Sequence, residues 1–188
     1  MCKKKKNRKI TKTYLKGAAY RYLERYATTE ANLFFILKRR VDRILNQQDE
    51  NDDDYGEIEN WINEVISECV KHDLVNDRLY SERKLNSYTI LGNSIATIKN
   101  KLRAKGVSLE IINDVVSKAI ENTPNINQIS AIKYAKKRHF GPFRIRQADE
   151  KTNQKELAAM ARAGYPYHEA THILKANRED LEDILYGD

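Results

Sequence analysis

The pattern with the most specific chemistry lies near the C-terminus, at His168-Glu169-Ala170-Thr171-His172. On a helix this spacing puts two imidazoles on one face, able to hold zinc, with a glutamate beside them as general base. The surroundings argue against hydrolysis. A third ligand is needed, and the positions a metzincin fills with glycine and histidine hold Lys175 and Arg178. Glu179 and Glu182 are the only glutamates that follow, and no strand-rich half is available to hold an extended substrate. Adventitious metal binding is the better reading. Nothing resembles a P-loop, a dinucleotide fingerprint, or a serine or cysteine nucleophile with a placed base. The expectation is a protein that is not an enzyme, with no catalytic residue, no metal and no cofactor.

The second constellation is basic. Lys133, Lys136, Lys137, Arg138, Arg144 and Arg146 fall in a stretch with no acid between Glu121 and Asp149. The three lysines share a helix face by spacing, with Tyr134, His139 and Phe140 near them. Such a patch can hold phosphates or an acidic protein groove, or it is a solvated helix face. Lys38, Arg39, Arg40, Arg103 and Lys105 form a second group at helix ends, where capping of terminal carbonyls competes with partner binding. The chain carries +7 at pH 7 overall. Lys3, Lys4, Lys5, Lys6, Arg8, Lys9 and Lys12 account for all of it, so the body is neutral. Residues 1–12 read as a disordered basic tail that is either solubilising or a weak, salt-sensitive polyanion binder.

The elements that must position these residues are helical. The chain has 188 residues, 32% charged and 40% apolar, with few glycines and prolines, a composition that favours helices around a modest core. No apolar run approaches the ~20 residues needed to cross a bilayer, and the basic start has no apolar segment behind it. Cys2 and Cys69 make no disulfide framework. A cytoplasmic protein with no membrane contact is expected.

Residues 92–120 hold the clearest pattern. Leu91, Ile95, Ile98 and Leu102 make one helical stripe, and Gly106 stops the helix by taking a left-handed C′ conformation. Ser108 caps the next helix, whose apolar face is Ile112, Val115, Val116, Ala119 and Ile120. The stop recurs: Leu102-Arg103-Ala104-Lys105-Gly106-Val107 matches Met160-Ala161-Arg162-Ala163-Gly164-Tyr165, and Leu37-Lys38-Arg39-Arg40-Val41 is a weaker copy without glycine. The predicted fold is all-α: three tandem three-helix units stacked into an elongated, curved body. Their expected bounds are 13–72 (with an acidic loop over about 46–56), 73–123 and 124–177, followed by a C-terminal tail over 178–188. In the first unit Thr28 or Thr29 caps the second helix, and Trp61 lies on a core stripe. Asn76 or Asp77 starts the second unit, and the last helix of the third runs from Pro166 to about Ala176.

At these residues the chain resembles the RecX family of regulatory proteins. The matching segments are Tyr22-Leu23-Glu24-Arg25 with Thr29-Glu30-Ala31-Asn32-Leu33, then Leu74-Val75-Asn76-Asp77-Arg78-Leu79-Tyr80. Gly92-Asn93-Ser94 and Leu102-Arg103-Ala104-Lys105-Gly106-Val107 follow. His139-Phe140-Gly141-Pro142-Phe143-Arg144 and residues 157–165 complete the series, in the family's order over about residues 14–176. The missing glycine after Arg40, the acidic insertion and the lysine tail depart from the pattern. The resemblance implies a negative regulator of RecA lying in the groove of the RecA–DNA filament. There it would suppress strand exchange, ATP hydrolysis and co-protease activity, with single- or double-stranded DNA as a further partner. A monomer is the separate expectation for the chain itself. A general helical nucleic-acid binder without RecA specificity is the alternative.

Overall fold

Side-chain oxygens set just ahead of apolar stripes start most of the helices. Thr11, Thr29, Ser94, Ser108 and Asp149 each accept a backbone N–H three residues on, satisfying a donor that the first helical turn leaves without a partner. The computed structural model describes residues 9–46, 55–145, 147 and 149–187. Its helices are α1 (Lys12–Leu23), α2 (Glu30–Leu45), α3 (Tyr55–Lys71), α4 (Asp77–Ile90), α5 (Ile95–Arg103) and α6 (Leu109–Asn122), then α7 (Ile126–Arg138), α8 (Glu150–Arg162), α9 (Tyr167–Lys175) and α10 (Arg178–Tyr186). A 3-10 turn, Gly141–Phe143, separates α7 from α8. No strand occurs among the described residues, and the protein is all-helical as its periodicity predicts. None of these helices is long and apolar enough to cross a membrane.

The chain divides into two compact units. The first comprises residues 1–80 with 105–107. There α1, α2 and α3 pack around Leu15, Ala19, Leu33, Leu37, Ile62, Val65 and Cys69, with Trp61 against the edge. Burial pushes the Cys69 thiol above its ordinary pKa, so it behaves as a small inert hydrophobe. The second comprises residues 81–104 and 108–188. Leu85, Ile98, Leu102, Ile112 and Val116 are buried in its first part. Ala131, Ile132, Ala135, Phe143, Met160, Tyr165, Ile173 and Leu181 cluster in the rest.

One kind of joint occurs once in each unit. In the first, the Thr29 hydroxyl donates to the Lys105 carbonyl at 2.5 Å, and the Glu30 N–H donates to Asp77 Oδ1 at 2.9 Å. Gly106 (φ +78°) presses on Ala31, whose Cβ would lie 2.3 Å from any Cβ added at 106. In the second, the Ser94 hydroxyl donates to the Ala163 carbonyl at 2.6 Å, and the Ile95 N–H donates to Asn127 Oδ1 at 3.0 Å. Gly164 (φ +86°) leaves only 2.6 Å between an added Cβ and Ser94 Oγ. Both joints tie the start of a helix to the segment around a left-handed glycine through the same set of groups. The matched glycine motifs in the sequence are the residues that make this contact possible.

Several sequence expectations are corrected. The segment 178–188 is not a tail: residues 178–186 form α10, and Leu181 is buried. The basic tail ends earlier than residue 12, since Ile10 joins the first core and α1 begins at Lys12. Tyr55 and Gly56 belong to α3, not to an acidic loop. Leu91 is exposed and lies outside α5, because the chain turns at Gly92 with φ +71°. Ile120 is also exposed rather than on a packed face. Pro166 is the residue before α9, not its first turn. The lysines of residues 1–8, Cys2, the acidic run 47–54 and Arg146 lie outside the described residues.

Candidate partner interface

The His-Glu-x-x-His residues lie on α9. His168 and His172 are exposed, while Glu169 accepts a 2.5 Å hydrogen bond from Asn127 Nδ2. Because Asn127 also holds the first N–H of α5, Glu169 completes the second joint. Its chemistry is that of a buttress. Among the described residues no group of three or more histidine, cysteine, aspartate or glutamate side chains is placed to hold a metal.

The basic residues separate into those held by a partner inside the fold and those left to solvent. Arg144 is held most firmly. Its Nε and Nη2 fork onto Glu156 at 2.7 and 2.6 Å, and Nη2 also meets Asn153. The Glu156 carboxylate, 7% exposed, accepts the Gly141 N–H as well. Glu156 lies eight residues before Gly164, the place that the core residue Ile98 holds before Gly106. A buried charge thus stands in α8 where α5 has an isoleucine, and Arg144 compensates it. The Arg144 pKa is raised by that hydrogen bond.

Lys136 reaches α10, donating to Glu182 at 2.9 Å over the rings of Phe143 and Tyr186. The contact raises the lysine and lowers the carboxylate. In the first unit Lys38 lies near Glu59 at 3.4 Å and over Phe34 and Tyr55. Arg40 donates to the Tyr14 hydroxyl at 2.8 Å. Arg39 stacks on the exposed ring of Phe35, a cation–π contact open to solvent. Lys105 touches Asn32 at 3.4 Å, and Arg103 is exposed beside Asn100. On α7, Arg138 lies over Tyr134. Lys133 and Lys137 make no ion pair among the described residues.

The structure brings Lys133, Lys137 and Arg138 together on α7 and keeps their charge available. It commits Lys136 and Arg144 to internal carboxylates. The partners that decide this, Glu182 and Glu156, are distant or separated by loops, so spacing on α7 alone does not reveal them. Ser130 packs beside this stripe with its hydroxyl buried. Tyr165 crosses from the stop after α8 to donate to the Gly92 carbonyl at 2.9 Å. Burial drives that phenol well above its ordinary pKa, which keeps it a donor.

These features define an all-helical protein whose joints come from repeated cap-and-glycine motifs and in which Lys133, Lys137 and Arg138 make no ion pair among the described residues. The chain belongs to the RecX family of regulatory proteins. It is 35% identical over 175 residues to the regulatory protein RecX of Myxococcus xanthus (strain DK1622), covering 92% of this chain and 90% of that one. The RecX of Agrobacterium fabrum (strain C58) is 32% identical over 111 residues, 59% of this chain and 57% of that protein. The fold matches the crystal structure of RecX from Lactobacillus salivarius with a TM-score of 0.62 at 19% identity, over 91% of this chain and 96% of that one. A second RecX crystal structure matches at 0.60 and 18%, over 86% of this chain and 70% of the other. No protein-family model matches the chain.

Proposed function

We propose that this protein is a negative regulator of RecA that acts by binding and not by catalysis. It would occupy the groove of the RecA–DNA filament and suppress strand exchange, ATP hydrolysis and co-protease activity. The observation that carries the reading is the 35% identity to a regulatory protein RecX along 92% of the chain. The two matched joints support a further part of it, three helical units in tandem, each offering a small contact that adds to the others. The half-buried Lys133 and the exposed Lys137, Arg138, Arg39, Arg103 and Lys105 are the proposed contacts, with Arg146 beside them in sequence. Lys136 and Arg144 act mainly to hold the second unit together. A cytoplasmic monomer that meets DNA within the filament completes the proposal.

The test is the single-stranded-DNA-dependent ATP hydrolysis of the cognate RecA, titrated with this protein at physiological salt. Inhibition at or below one protein per RecA, retained after deletion of residues 1–12, is the expected result. No effect on RecA, together with salt-sensitive binding to naked DNA, would replace this reading with a general nucleic-acid binder.

A further inference from the structure

The turn between α4 and α5 places two aliphatic side chains in solvent. Ile90 is 68% exposed and Leu91 56%. They are not loose ends. Gly92 is clamped on α7, where an added Cβ would come within 2.8 Å of the Tyr134 nitrogen and 3.2 Å of the Ser130 carbonyl oxygen. Its own carbonyl accepts the Tyr165 hydroxyl. The knuckle is therefore fixed across the Ser130–Tyr134 stripe of α7. Lys133 and Lys137 belong to that same stripe, since residues three, four and seven apart on a helix share a face.

The two chain segments that form this knuckle carry only basic charges, and the carboxylate that acts on Tyr165, Glu169, is held by Asn127. Residues 83–109 contain no aspartate or glutamate, and neither do residues 122–148. The two acid-free segments meet where Gly92 rests on α7. Exposed aliphatic carbon held rigidly beside unpaired lysines is what an acidic, amphipathic protein segment recognises. A nucleic-acid backbone would use the lysines and leave Ile90 and Leu91 in water.

We infer that Ile90 and Leu91 with Lys133 and Lys137 form a docking surface for an acidic protein segment that presents apolar side chains between its carboxylates. The inference rests on the regulator reading and assigns this face to protein, leaving nucleic acid to others. The test compares full-length wild type with Ile90→Ser/Leu91→Ser and with Lys133→Glu/Lys137→Glu. Each is titrated against cognate RecA assembled on single-stranded DNA, and separately against the same fluorescent oligonucleotide alone. Both variants should bind the protein filament about tenfold more weakly or worse, as loss of an anchor in a small interface does. All four positions are at least partly exposed, so thermal unfolding should match wild type. The serine variant should bind naked oligonucleotide as wild type does. Filament binding unchanged in the serine variant overturns the inference while the regulator reading stands. An equal loss on naked oligonucleotide makes the face a nucleic-acid surface and also overturns it. A wild-type chain that ignores the RecA filament overturns both readings.

Discussion

The two joints solve one problem with different side chains. Each must satisfy the first N–H of one helix and a carbonyl just ahead of a left-handed glycine that lies hard against side-chain atoms of that helix start. The first uses Thr29, Asp77 and the Ala31–Gly106 contact; the second uses Ser94, Asn127 and the Ser94–Gly164 contact. The hydroxyl and the glycine are common to both, and the acceptor on the neighbouring helix changes from a carboxylate to an amide. The shared groups answer a geometric need that nothing else fits. The variable group only has to accept a hydrogen bond. Mutations should therefore cost most at the glycines and least at the acceptor.

Gly106→Ala and Gly164→Ala should produce the largest losses, about 3 kcal/mol each, from left-handed backbone strain together with overlap. Chemical denaturation measures both. The comparison sharpens in the double variant Gly106→Ala/Ala31→Gly. Removing the opposing Cβ should recover the overlap part and leave the strain, so the pair should be less damaging than the sum of its members. Full additivity would show that Ala31 does not decide the first joint.

Arg144→Ala should cost about 3 kcal/mol by leaving the buried Glu156 carboxylate without its counter-charge. Arg144→Met/Glu156→Leu should recover most of that stability, because α5 fills the corresponding position with Ile98. If the double variant is as unstable as the single one, the Gly141 N–H that Glu156 also serves is the stronger demand. Ser94→Ala should cost about 2 kcal/mol, since that hydroxyl both caps α5 and satisfies the Ala163 carbonyl. Thr29→Val should cost about the same. A marked inequality between the two in thermal unfolding would break the equivalence of the joints.

Much of this was legible before the fold. Thr29 and Ser108 announce helix starts because a short hydroxyl before an apolar stripe has few other uses, whereas the Ser94 cap emerges only with the fold. Gly106 and Gly164 announce stops for the complementary reason. The C-terminal α10 was not legible, since the segment 177–188 is short, rich in acids and offers only Leu181, Ile184 and Leu185 as an aliphatic face. Leu91 misled because it keeps helical spacing with Ile95 while the turn at Gly92 removes it from that helix. The fate of the cations was the least legible part. A lysine run on α7 reads the same whether or not a carboxylate on α10 waits for Lys136, and only the packing of α10 on α7 separates the cases.

The smallest expected effect bears on the acceptor, and it varies with pH. Burial raises the Asp77 pKa, opposed by its hydrogen bond from Glu30. Burial and the nearby Asp77 charge raise Glu30. A carboxyl whose pKa is raised on folding binds protons more tightly in the folded state, so its contribution favours folding at low pH. That contribution is lost as pH climbs from the unfolded values, 3.8 and 4.5, through the raised folded ones. Asn127, the corresponding acceptor in the second joint, cannot titrate. Asp77→Asn keeps an oxygen for the Glu30 N–H and makes the first joint resemble the second. The variant should match wild type below the unfolded pKa, then gain on it by less than about 1 kcal/mol through the weakly acidic range. Wild type and variant are compared by denaturation at each pH, so that Glu68, Asp149 and Glu182, whose lowered pKa values act in the opposite sense, cancel between them. A difference that stays constant with pH would mean that the carboxylate matters to the first joint for its shape and not for its charge.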